Sequence, residues 1–119
     1  MRKLALVIIA LALGAPAVVA HHSHAMFDTS REVALTGTVT QVSYRNPHVF
    51  VHVDVKGEDG TVVNWAVEMS NITNMESRGI YRSTLKVGDE LSIRVNPLKN
   101  GRPGGNYTSL TTADGKTFE

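Results

Sequence analysis

A small all-β barrel carrying one short helix is the fold class this chain predicts, on three observations. Short runs of alternating apolar residues recur from Val33 to the end of the chain. The first of them changes parity part-way along. A single helical signal interrupts the series, between the third and fourth runs.

Val33, Leu35 and Val39 alternate with Ala34, Thr36, Thr38 and Thr40, which reads as a strand rich in β-branched residues. At Val42 and Tyr44 the apolar positions move to the other parity, and one extra residue in a strand does this, so a β-bulge is expected. Asn46-Pro47 breaks the pairing. In the second strand Val49, Val51, Val53 and Val55 face one way and His48, Phe50, His52 and Asp54 the other. Gly57-Glu58-Asp59-Gly60 makes a hairpin loop. The third strand sets Val63, Trp65, Val67 and Met69 against Asn64, Ala66 and Glu68.

Thr73-Asn74-Met75-Glu76 fits a capping box and Gly79 is placed to stop a helix, so residues 71–78 are expected to form one or two helical turns. Leu91, Ile93 and Val95 form the inward face of a fourth strand that Pro97 ends. A glycine-rich loop over 100–106 leads to a fifth strand over 107–112. Asp114-Gly115 turns the chain into a short tail strand. A long bulged first strand, and a helix between strands three and four, predict an OB-like Greek-key barrel of five to six strands.

The first twenty residues are read separately. Arg2 and Lys3 precede the uncharged run Leu4 to Leu13, and Val18 and Ala20 occupy the −3 and −1 positions of a cleavage site. This is the pattern of a secretory signal peptide cut after Ala20. The apolar run is too short to span a membrane, which takes about 20 residues. The expected organisation is a signal peptide at 1–20, a His-rich arm at 21–32 and one barrel domain at 33–119, in the periplasm or secreted, with no stable membrane association after cleavage.

Without residues 1–20 the chain keeps 99 of its 119 residues, and the loss of Arg2 and Lys3 leaves 10 Lys and Arg against 11 Asp and Glu, net −1 with His neutral. A nucleic-acid binder normally shows a basic patch or stripe, so no nucleic acid is expected as partner. With no cysteine, thiolate metal sites and disulfides are excluded.

The chemistry concentrates at His21-His22-Ser23-His24. Cleavage after Ala20 would give His21 a free α-amine beside its imidazole, and nitrogen donors of this kind suit Cu(II). Asn46-Pro47-His48 supplies a further imidazole at a strand end. His48 and His52 are not expected to share one ion, since four residues of strand cover about 13 Å. Trp65, Met69 and Met75 read as core, with methionine filling gaps. Glu68 reads as a solvated carboxylate or cross-strand partner. No paired carboxylates, nucleophile elbow or phosphate loop is present, so no enzyme activity is expected.

Several stretches together resemble a family of small secreted bacterial proteins classed only as a domain of unknown function. They are His21-His22-Ser23 after the signal, Leu35-Thr36-Gly37-Thr38-Val39, Asn46-Pro47-His48, Trp65-Ala66-Val67-Glu68, Gly79, Leu85-Lys86-Val87-Gly88-Asp89 and Asn96-Pro97-Leu98. The resemblance implies a periplasmic all-β domain and supplies no function. Where its pattern tends to have an aromatic residue, this chain has His24. Its polar positions His21, His22, His48 and Glu68 could meet if the arm folds back.

The expectation is thus an exported, non-catalytic metal-binding protein, for Cu(II) above other metals, using His21, His22, His24 and His48. The competing expectation is an OB-like module for a small periplasmic ligand or protein partner, with no metal, and with Phe50, Tyr44 and Tyr107 as its contact surface.

Overall fold

The computed structural model describes residues 24–119. The strands are β1 (Val33–Ser43), β2 (Phe50–Lys56), β3 (Val62–Glu68), β4 (Glu90–Pro97), β5 (Gly104–Thr112) and β6 (Thr117–Phe118), with helix α1 (Ile72–Ser77) between β3 and β4. They are ordered β3-β2-β1-β4-β5-β6, and a parallel pairing of β3 with β5 closes the first five into a barrel. The expected OB-like barrel with its helix after the third strand is what the chain forms, with β6 as one extra strand on β5.

Closure depends on β1 serving two partners. Its first half pairs with β4, from Val33↔Val95 to Thr38↔Glu90, and its second with β2, from Gly37↔Val55 to Ser43↔Phe50. Gly37 therefore lies between both neighbours. A Cβ there would run into the Asp54 carbonyl oxygen and come within 2.8 Å of Val53 Cγ1. Two residues on, the ladder with β2 slips between Val39 and Gln41, leaving Thr40 as the extra residue. This is the bulge that the parity switch predicts. It lets Leu35 and Val39 face inward before it, and Tyr44 after it. A second slip, between Arg94 and Val95 on the β4–β5 ladder, had no equivalent signal in the sequence.

The core is built from the inward parities. Val49, Val51 and Val53, Val67 and Met69, and Leu91, Ile93 and Val95 are all buried, with Met75, Ile80, Leu85, Tyr107, Leu110 and Phe118 closing the ends. Each such side chain contributes about 1.5–3 kcal/mol through its removal from water. Tyr44 and Tyr107 are part of this core, so they offer no contact surface and the expected aromatic trio reduces to Phe50. Tyr44 spends its hydroxyl on the Ile80 carbonyl, at 2.9 Å. Met75 is fully buried, and its sulfur accepts from the Ser70 amide.

The helix starts differently from the expected capping box. Asn71, not Thr73, is its N-cap, its side chain accepting from the Asn74 amide at 2.8 Å. Thr73 and Glu76 are exposed. Asn46 also accepts from the Ile72 amide at 2.9 Å, tying the β1–β2 loop to the helix start. No helix among the described residues is long and apolar enough to cross a membrane.

Two predictions follow from this architecture. Gly37→Ala should cost about 3 kcal/mol or more, because the clash is with backbone and cannot relax by a rotamer change; urea denaturation would read it as a lower midpoint at unchanged slope. The second concerns acid. Hydrogen bonds hold four carboxyls below their ordinary values: Asp28 by Ser30, Glu32 by Arg94 and Thr108, Asp59 by Thr61, and Asp114 by Thr112. A carboxyl with a depressed folded pKa stabilises the fold above its unfolded pKa and loses that contribution as pH falls through the folded one. Thermal melts should therefore hold steady from pH 7 to about 5 and fall from about 4.5 downward, with a shallower fall in Glu32→Gln.

Candidate functional site

The outer faces of β1, β2 and β3 meet in a cavity of about 580 Å³. The registers Ser43↔Phe50↔Glu68 and Gln41↔His52↔Ala66 lay two rows of side chains across its floor. The loop from Arg45 to His48 forms one wall, and Leu98, Phe27 and Met26 another. This is the β2–β3 face between the first and fourth hairpin loops, where OB barrels take their ligands.

The floor is low because β3 has Ala at position 66, and because β5 meets β3 through glycines, Ala66↔Gly104 and Val67↔Gly105. A Cβ on Gly105 would lie 2.7 Å from the Asn96 carbonyl oxygen and from Val95, so closing the barrel here excludes side chains.

The arm supplies the second wall by docking. Within the His-rich arm, residues His24–Met26 form a single 3-10 turn. Phe27 then forms a β-bridge with Leu98 and is only 6% exposed. Asp28 donates its amide to the Pro97 carbonyl at 2.8 Å, and Lys99 donates to the Met26 carbonyl at 2.9 Å. Met26, 50% exposed, lines the cavity.

His48 has the most constrained polar side chain in the cavity. The Asn46–Pro47 peptide before it is cis. Its Nδ1 lies 3.1 Å from the Met69 carbonyl oxygen and 3.4 Å from Glu68 Oε1. Both neighbours only accept, so Nδ1 is the donor toward them. The two side chains are 23% and 16% exposed. Of the two expected roles of Glu68 the structure shows the cross-strand partner and not the solvated carboxylate, and the partner is His48, whose ring it helps to fix. A histidine that donates one ring nitrogen to a carboxylate or carbonyl is arranged as metal-bound histidines are.

His52 lines the same cavity one row further on, its Nδ1 3.3 Å from Asn64 Oδ1. Asn64 also donates to Thr40 Oγ1 and Asp54 Oδ1, at 3.0 and 2.8 Å. Among the described residues no three His, Asp or Glu side chains come together as a metal site. His21 and His22 lie outside the described residues, as does the segment 1–20 expected to be a signal peptide, and His24 opens the docked 3-10 turn. The structure thus joins His48 to Glu68 and brings the arm's described part to the same cavity. Sequence reasoning missed Arg45, Ser43 and Gln41 as lining residues. Their signal was the parity switch, which turns these positions to the outer face.

A model described as a family of unknown function (DUF6152) matches residues 8–107. No curated protein matches the chain. Among solved structures, a mitochondrial single-stranded DNA binding protein from S. cerevisiae is similar, with a TM-score of 0.52, 5% sequence identity, and coverage of 72% of this chain and 97% of that one. This likeness corrects the exclusion of nucleic acid. That exclusion rested on net charge and the lack of a basic stripe, whereas an OB barrel binds strands through a few loop cations and face aromatics that a whole-chain count does not register.

Phe27→Ala should release the arm and spare the barrel. Hydrogen exchange is expected to show protection at the Asp28 and Lys99 amides falling about tenfold or more, with the Ile93 amide in β4 unchanged.

Proposed function

The chain belongs to the family of unknown function DUF6152, and from that premise we propose that it is an exported, non-catalytic OB barrel that binds Cu(II). His48 would offer Nε2 from the cavity. The mature N-terminus would offer the α-amine and imidazole of His21, with His22 or His24 completing a nitrogen-rich set suited to Cu(II). The observation that carries this reading is the docking of Met26 and Phe27 beside the His48–Glu68 pair. Five peptide units separate His21 from Met26 and span at most about 17 Å, so the N-terminus is tethered within reach of His48. Glu68 and the Met69 carbonyl hold the orientation of the ring, and the apolar wall of Phe27, Leu98 and Pro47 limits water at the ligands.

The volume of the cavity favours a second reading, an OB binding module that takes a ligand on the same face without metal. The two readings separate on one sample. Protein purified from the periplasm would be mapped at its N-terminus by mass and titrated with Cu(II), followed by EPR. The expected result is a His21 start and one nitrogen-rich Cu(II) signal. His21→Ala should abolish the signal. His48→Gln should weaken binding at least about tenfold, and Glu68→Gln by about 10–100-fold. Weak binding at many sites, or tight binding that ignores His48→Gln, would sink the copper reading and leave the metal-free module.

A further inference from the structure

The cavity is much larger than one ion and its donor atoms. At about 580 Å³ it falls within the roughly 300–1,000 Å³ of pockets that enclose small organic molecules. Its surface is mostly carbon, from Met26, Phe27, Pro47, Phe50, Ala66 and Leu98. The floor is a flat strand face, with Phe50 half-buried and Ala66 too short to fill the space above it.

The loops around the cavity select a charge. Residues 44–49 hold Arg45 and no Asp or Glu, and residues 98–106 hold Lys99 and Arg102 and no Asp or Glu. The one carboxylate in the lining, Glu68, lies against the Nδ1 of His48. Arg45 is therefore the cation that the lining itself presents, while Lys99 is set near Asp28 of the arm. The sign changes along the face. Beyond His52 the strands present Thr40, Asn64 and Asp54, tied to one another and including no cation. A compact anion fits a single lining cation, while a longer polyanion would meet Asp54 before it reached Lys56 at the far end of β2.

We infer that this cavity binds a small carboxylate with a flat apolar body, its ring over Phe50 and Ala66 and its anionic head toward Arg45. Ring-on-ring contact with Phe50 favours an aromatic body over an alkyl chain, and a guanidinium at the rim favours carboxylate over a neutral polar head. The inference shares the cavity with the copper reading but needs no metal, so the two fail separately.

The test uses mature protein stripped with EDTA and titrated with 2-naphthoate, with its neutral counterpart 2-naphthalenemethanol in a parallel series. Calorimetry gives affinity, and amide shifts give location. The expected result is one saturable site with Kd below about 1 mM, shifts confined to Gln41, Ser43, Phe50 and Ala66, and alcohol binding about tenfold weaker. Ala66→Phe should fill the cavity and weaken both ligands by at least about tenfold. Arg45→Gln, at an exposed position that no packing depends on, should bring the acid down to the alcohol. Absence of saturation by about 5 mM, or binding that survives Ala66→Phe in folded protein, would overturn the inference. So would an alcohol that binds as tightly as the acid. An oligothymidylate that displaces naphthoate and binds more tightly would replace it with a single-stranded nucleic acid ligand.

Discussion

The close approach of β1 to two neighbours at once is the constraint on which the rest of this molecule depends. One strand can belong to both halves of a barrel only if it bends, and the bend brings backbone against backbone at Gly37. The bulge at Thr40 then adds twist and reverses the facing of every later side chain. That reversal turns Tyr44 inward, to donate to Ile80, and turns Gln41, Ser43 and Arg45 out to the cavity. The site is thus a consequence of barrel closure. The same geometry that lets β3 meet β5 through Gly104 and Gly105 leaves the floor beside Ala66 without side chains.

Polar order at the site follows from this frame. Glu68 stands opposite Phe50 on the ladder, at the end of β3, where the chain turns toward the helix. The Met69 carbonyl is next along the chain, and His48 reaches both across the end of β2. Asn46 fastens its loop to the first turn of the helix. An imidazole placed in this way has little freedom of ring orientation. Second contacts of this kind are what make an imidazole useful to a metal.

Docking makes the arm part of the site. Phe27 uses Leu98 as its β-partner and buries its ring there, so the arm belongs to the wall of the cavity. Met26 lines the cavity, so a movement of Met26 changes its wall. A metal held by the N-terminus and a small anion held by the barrel would therefore compete for space or complete one another, and neither would leave the arm unaffected.

The strand alternation, the parity switch in β1 and the position of the helix fixed the barrel in advance, because inward-facing valines at period two can be buried only one way. His48 was legible as an imidazole at a strand end. The helix cap was misplaced because Asn71 and Thr73 offer equivalent oxygens, and only the path of the chain from β3 selects Asn71. Tyr107 could not be told from a surface aromatic, since its burial depends on how the barrel ends close, whereas the parity switch already carried the inward turn of Tyr44. Charge counts along the chain could not show that Arg45 faces the cavity. By itself the sequence determined which residues alternate, where the chain turns and which side chains can donate nitrogen. Only the tertiary structure decided that Glu68 and the Met69 carbonyl hold the ring of His48, and that the arm and an alanine-floored strand face enclose a cavity beside it, because those contacts join segments whose proximity no local pattern encodes.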